Sequence, residues 1–428
     1  VDFLASPTRR KILFGMLYLS EGAPIGFIWL GLPTRLKVVG VPLDQITWLL
    51  ALLILPWTLK FLWAPIVDLL RVPSWGFKHW VLASQFCMAV SLLPLMQLDI
   101  AKQFPTIKIW LIVHAVCAAT QDISIDALCM QESKPTERGA LNGWMQCGVL
   151  VGRAAMGGGS LMLERWIGFA ATVAVLIGLI LSSSVLLWFA KEQPQEPELT
   201  NGHDSSHSLD TSVPLLSLLV TRIRSMVREM ISSLRSHRIW AGFLFALTAP
   251  AAFKSIEAVI GPFLIDRGYS EYQIGQFSST IMIGSMIVGS LLAGRLAGRS
   301  KGSRFVAIAL VLNVAAILLL GGVDFAFDGG SGWHLLLLLG IVALTIGWFT
   351  VALYQWLMNL TSPRLAATQF TAFMAATNAC EAWSTGLFGT LQVQLGYPVT
   401  ICLLCIPSAC SAVLLIGLRP KPEASPMG

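Results

Sequence analysis

Asp122 and Asp126 stand four residues apart in the run HAVCAATQDISIDALCM, and a helix there puts both carboxylates on one face. Ionised groups are expensive in so apolar a setting, so acids kept there read as a proton or solute site. His114 lies two helical turns before Asp122 on the same run. The hinge KPTERG then turns the chain into a second apolar run that carries Arg153. A buried arginine needs an anion, and Asp122, His114 or an anionic solute is its expected partner. The chemistry this permits is proton exchange: Asp122 gives up its proton when Arg153 pairs with it and takes one when a solute anion occupies the arginine. Asp126, nearer the end of the run, is expected to serve a gate with Arg138 or Lys134.

Five other charged residues lie well inside apolar runs, away from their ends. Glu21 and Lys60 each lie about 14 Å along their helices from the same end, counting 1.5 Å per residue, and so are expected to pair. A structural ion pair between the two helices is the alternative to a transport role. Lys254 and Glu257 are three apart and can neutralise one another on one helix face, whereas Glu381 has no local partner and is a second candidate for the proton. Of the 15 tryptophans, Trp75, Trp80, Trp110, Trp166, Trp240 and Trp333 lie near the ends of apolar runs, where an interfacial belt accounts for them. Trp29, Trp144, Trp348 and Trp383 lie deeper; they are candidates for an aromatic cavity wall, with simple packing as the alternative.

The elements that must hold these residues are membrane helices. Of 428 residues, 55% are hydrophobic and 12% charged, about half the charged share of a soluble domain. The formal charge of +6 does not call for a nucleic-acid partner, because basic residues collect in cytoplasmic loops of membrane proteins. Eight cysteines fall almost entirely in apolar runs, and the pair Cys402 and Cys405 has no second ligand pair for zinc, so neither metal nor cofactor is expected. Twelve apolar spans can be marked, at about 12–33, 46–69, 80–98, 107–131, 140–163, 168–190, 238–265, 273–294, 305–323, 333–358, 367–391 and 398–418, each near the 20 residues that cross a bilayer. The first is long and has no small-residue cleavage site, so it is expected to stay in the membrane.

Basic residues set the orientation. Arg9, Arg10, Lys11, Arg71, Lys78, Lys134, Arg138, Arg295, Arg299, Lys301, Arg304, Arg364, Arg419 and Lys421 share one side, against Arg35, Lys37, Lys102, Lys108, Arg165 and Arg267 on the other. The richer side is cytoplasmic and takes both termini. Residues 191–237 begin as a polar, Pro- and Ser-rich linker and end as a basic amphipathic segment, with Leu216, Leu219, Ile223 and Met226 on one stripe, fit to lie on the inner leaflet or to pack as a linker helix. The linker divides the chain into six-helix halves, 1–190 and 238–428. A weak repeat, KPTERGALNGWM after the fourth span and TSPRLAATQFTAF after the tenth, fits an all-α polytopic protein of major facilitator architecture with two six-helix bundles. Helices 1, 4, 7 and 10 of such a fold would surround a central cavity.

Several stretches resemble the AmpG-like permeases, a branch of the major facilitator superfamily: LYLSEGAPIGFIWLGLPTRLKVVG, PWTLKFLWAPIVD, ATQDISIDAL, TERGALNGWMQCGVLVGR and AATQF. The K-F-L-W-A-P-x-x-D and Q-D-x-x-x-D-A strings are the most specific of them. The resemblance implies proton-driven import of a sizeable organic solute across a bacterial inner membrane, and a monomer is expected; the branch includes carriers of muropeptides, acetyl-CoA and iron siderophores. Twelve spans with a short tail look more like the siderophore members, with a muropeptide permease as the alternative. The superfamily's gating loop after the second helix is reduced here to Asp68, Leu69, Leu70, Arg71 and later Lys78, of which Asp68 and Arg71, with Arg138, are the gating candidates. A membrane enzyme would need a nucleophile with its base, or a metal cluster, and the sequence has no such constellation. A transporter-derived receptor is the third class, disfavoured by so many intramembrane charges.

Overall fold

The structure is a computed structural model. It describes residues 2–69, 75–97, 102–133, 137–192, 236–297, 302–327, 332–360 and 366–416, with helical positions at 220, 221, 224 and 228. These are helical almost throughout: α1 (Pro7–Val38), α2 (Leu43–Leu62), α3 (Phe77–Met96), α4 (Phe104–Glu132), α5 (Arg138–Met156, resumed as Gly158–Ile167), α6 (Phe169–Trp188), α7 (His237–Asp266), α8 (Glu271–Leu296), α9 (Ser303–Ala326), α10 (Trp333–Leu360), α11 (366–395) and α12 (397–416). Ten apolar spans are counted among the described residues, with α11 and α12 taken as one stretch and the more polar α5 left out. The twelve expected segments thus each have a helix. The join between α11 and α12 is Gly396, whose φ of +74° is open to glycine at little cost and closed to most other residues. Most of the linker and the amphipathic segment lie outside the described residues.

By internal packing the chain forms two compact units. The first is Val1–Arg228 with Val259–Thr280; the second is Glu229–Ala258 with Ile281–Gly428. Within the first, α1 lies along α5 with backbone against backbone. A Cβ on Gly22 or Gly26 would collide with α5 at Val149 or Arg153, and one on Gly148 or Gly152 would collide with α1 at Gly15 or Leu19. Small residues at this spacing let membrane helices approach closely, where no hydrophobic drive separates helix from lipid. In the second unit Gly289 on α8 and Gly347 on α10 meet in the same way, each against the other helix's backbone near Leu344 and Met286.

Proline shapes α1 where the sequence places it. Pro24 lacks the N–H that the carbonyl four residues back would accept, and the helix recovers through a wide π turn at Phe27–Gly31. The irregularity is thus a change of helical pitch, and the helix continues to Val38. α2 ends differently: Leu59 has ψ of 0°, and the helix tightens into a 3-10 turn at Lys60–Leu62 before the short helix Ala64–Leu69.

Two polar contacts fix the rotation of the helices in the first unit. Gln85 on α3 is fully buried; its amide donates to Ser20 Oγ on α1 at 3.1 Å and to Ser183 Oγ on α6 at 2.8 Å, and its Oε1 accepts from Ser184. Three helices are thereby pinned at one level. At the start of α3, Phe77 N–H and Lys78 N–H each donate to a carboxylate oxygen of Glu192 at 2.9 Å, so an acid just beyond α6 caps the positive end of α3. Below them Phe14, Leu17, Val81, Ile125, Leu128 and Leu187 form a buried apolar cluster drawn from α1, α3, α4 and α6.

Candidate functional site

With Ser20 held toward α3 and α6, the next residue of α1 is turned by about 100° and presents a different neighbour. That residue is Glu21, 5% exposed, and the charges acting on it are Asp122 and Asp126 of α4 and Lys60 of α2. Lys60 Nζ lies 2.5 Å from Asp122 Oδ2, in a pair whose carboxylate side chain is 11% exposed. The expected Glu21–Lys60 pair is corrected: equal depth on two helices does not fix azimuth, and the lysine leaves the 3-10 turn of α2 toward α4. Glu21 Oε2 is buried with no hydrogen-bond partner. Tyr18, one turn before Glu21 on α1, donates its hydroxyl to Asp126 Oδ1 at 2.5 Å. Trp63, just past Lys60, donates Nε1–H to Thr120 Oγ1 of α4 at 3.2 Å. Tyr18 is the member that sequence reasoning passed over, although its spacing of three from Glu21 on one helix was visible.

The second unit has its own buried pair. Lys254 Nζ on α7 lies 2.6 Å from Glu381 Oε2 on α11, with Glu257 and Tyr354 within electrostatic reach and the Phe253 ring centroid 5.7 Å from the ammonium. The expected neutralisation of Lys254 by Glu257 gives way to this pair between helices, and Glu381, read as isolated, has a lysine. Trp383 on α11 donates Nε1–H to the Leu247 carbonyl of α7 at 3.0 Å, tying the same two helices.

The remaining candidates separate. His114 is fully buried, and its Nδ1 lies 3.2 Å from the Met88 carbonyl and 3.1 Å from Ser91 Oγ, which fastens α4 to α3. Arg153 is half-buried on α5, where its backbone abuts Gly26 of α1, while Asp122 is held by Lys60. Trp29 meets Trp57 of α2 edge to face at 6.0 Å between ring centroids. Trp348 packs 6.2 Å from Phe305 with its indole N–H buried and unpartnered, and Trp144 is 50% exposed beside Gly15. Of the gating candidates, Arg71 and the side chains of Asp68 and Arg138, with Lys134, lie outside the described residues; Glu137, next to Arg138, pairs with Arg10 at 2.7 Å. At the far end of α1, Arg35 pairs with Glu164 at 3.1 Å and Glu271 at 3.8 Å, and Lys37 with Asp266 at 2.8 Å, tying α1 to α5 and to the turn between α7 and α8.

Twelve mostly apolar helices with lysine–carboxylate pairs buried in each unit define a polytopic membrane carrier fold. The chain belongs to the Major Facilitator Superfamily, whose sequence model matches residues 14–385, and it is similar to transporters of the AmpG type. It is 22% identical over 395 residues to the putative transporter AmpG 4 of Rickettsia conorii, covering 89% of this chain and 90% of that one. To the anhydromuropeptide permease of Escherichia coli K12 it is 24% identical over 383 residues, 86% of this chain and 71% of the relative. A crystal structure of a D-xylose–proton symporter superposes with a TM-score of 0.73 at 11% identity, over 96% of this chain and 98% of the other, which shows the shared fold.

Proposed function

We propose that this protein is a proton-coupled importer of a sizeable polar organic solute of the muropeptide class, working by alternating access as a monomer in a bacterial inner membrane with both termini cytoplasmic. In this reading residues 1–190 and 238–428 are the two six-helix bundles and 191–237 joins them on the cytoplasmic side. The observation that carries it is the buried group Glu21, Lys60, Asp122 and Asp126 on α1, α2 and α4, because ionisable groups kept in an apolar helix layer mark proton and solute pathways. The solute class rests on the anhydromuropeptide permease among the relatives, and it takes precedence over the siderophore reading, which rests on span number and tail length.

The test is uptake of radiolabelled N-acetylglucosaminyl-anhydromuramyl peptide into proteoliposomes. Accumulation that follows an inwardly directed proton gradient and collapses with a protonophore supports the reading. Equilibration alone would remove the coupling; no entry, with entry of a ferric siderophore, would replace the solute.

A further inference from the structure

We propose that Glu21 is the carboxyl that carries the coupling proton, with Lys60 as the ammonium that receives its charge when the proton leaves. The proposal rests on the proton-coupled reading above and assigns within it a task that sequence reasoning gives to Asp122. Three carboxyls and one ammonium share the space between α1, α2 and α4. Asp122 has the Lys60 ammonium in contact at 2.5 Å. Asp126 has the Tyr18 hydroxyl as a donor at 2.5 Å. Glu21 has neither: its Oε2 is sealed from solvent and has no donor. An ionised carboxylate without a partner is the costliest group a protein can bury, and a proton on that oxygen removes the charge. Glu21 is thus the protonated member of the cluster in the state the structure captures.

The groups that face it agree with this assignment from every side. Tyr18 on its own helix is turned to Asp126, α4 presents the two aspartates, and α2 presents Lys60. α5 meets α1 here through backbone, at Val149 beside Gly22, and α3 and α6 through Gln85 and Ser183 at Ser20. In the release step the Glu21 O–H bond breaks, the electron pair stays on the oxygen and the proton passes to water on the cytoplasmic side. The new carboxylate then draws Lys60, the cation that acts on it, away from sole contact with Asp122. Lys60 can make this move because it sits in the 3-10 turn at the end of α2 with 28% of its side chain accessible. Reloading from the opposite side reverses each step.

The experiment uses the full chain in detergent micelles and needs no solute. Infrared spectra at neutral pH are taken of the parent, Glu21→Gln, Asp122→Asn and Asp126→Asn, and the band of a protonated carboxyl C=O, shifted in heavy water, is followed. The expected result is a band in the parent that is lost in Glu21→Gln and kept in both aspartate variants. Glutamine copies the shape of the neutral acid, so Glu21→Gln should keep the parent's size-exclusion profile. A parent without the band, or Glu21→Gln that still shows it, overturns the proposal. A second arm measures anhydromuropeptide in proteoliposomes, where Glu21→Gln should lose gradient-driven accumulation and keep counterflow. If the parent moves no anhydromuropeptide, the solute reading fails while the infrared result still decides Glu21.

Discussion

Replacing Lys60 with methionine isolates the worth of the α2–α4 contact. At 2.5 Å and an effective dielectric of about 20, the attraction between Lys60 and Asp122 is roughly 7 kcal/mol before desolvation is charged against it. The methionine keeps the stem's bulk and removes the ammonium, leaving an aspartate that is 7% exposed without its cation. Breaking a buried pair in this way costs about 3–5 kcal/mol, and the partial exposure of Lys60 puts this case near 3. At roughly 2 °C per kcal/mol for a large chain, the apparent Tm should fall by about 6 °C. The assay is tryptophan fluorescence during heating in detergent at one scan rate, for which 15 tryptophans give ample signal. Lys60→Met with Asp122→Leu removes both charges and should recover at least half of the loss. Asp122→Leu alone should cost less than Lys60→Met, because the freed ammonium still has Asp126 and Glu21 in range. An unchanged Tm in Lys60→Met, or a double variant as unstable as the sum of the singles, would refute the reasoning.

The second unit should behave in parallel: Lys254→Met should lower the Tm by several degrees, and adding Glu381→Leu should restore much of it, measured in the same way. Gly152→Val should prevent recovery of folded protein or lower its Tm sharply, since its side chain would meet the Leu19 carbonyl, while Gly143→Ala, which has open space around it, should be neutral or raise the Tm slightly. Arg153→Lys keeps the charge and loses the planar fork, so anhydromuropeptide uptake should drop if the guanidinium grips a carboxylate; undiminished uptake with normal expression removes that role.

The helices were legible in the sequence because apolar length reports them directly, and the twelve expected segments each have one. Even the irregularity in α1 was signposted by Pro24 and Gly26, although its form, a π turn at Phe27–Gly31, was not. Partnership was much less legible. Depth along a helix follows from counting residues, and it puts Glu21 and Lys60 at one level. Whether they touch depends on the rotation of each helix, and that is set by contacts such as Gln85 with Ser20 and Ser183, invisible until three helices are together. The same gap explains Lys254. Its neighbour Glu257 three residues on looked like the natural partner, but a lysine stem reaches a neighbouring helix as easily as the next turn of its own. His114 looked chemical as an expected partner for Arg153; its contacts with the Met88 carbonyl and Ser91 fasten α4 to α3.

The glycine seam between α1 and α5 has a mechanical consequence. Where two helices touch through side chains, rotamers can be exchanged and one helix can slide past the other in small steps. Gly22, Gly26, Gly148 and Gly152 offer no rotamers, so this pair has a single register and behaves as one strut. Any tilt that relocates the Glu21 backbone must therefore carry the Arg153 backbone with it. What changes is the setting of that strut against α2 and α4, where the contacts are long side chains that can let go and re-form. In this half of the molecule the rigid part and the adjustable part are thus assigned by the size of the residues at each interface.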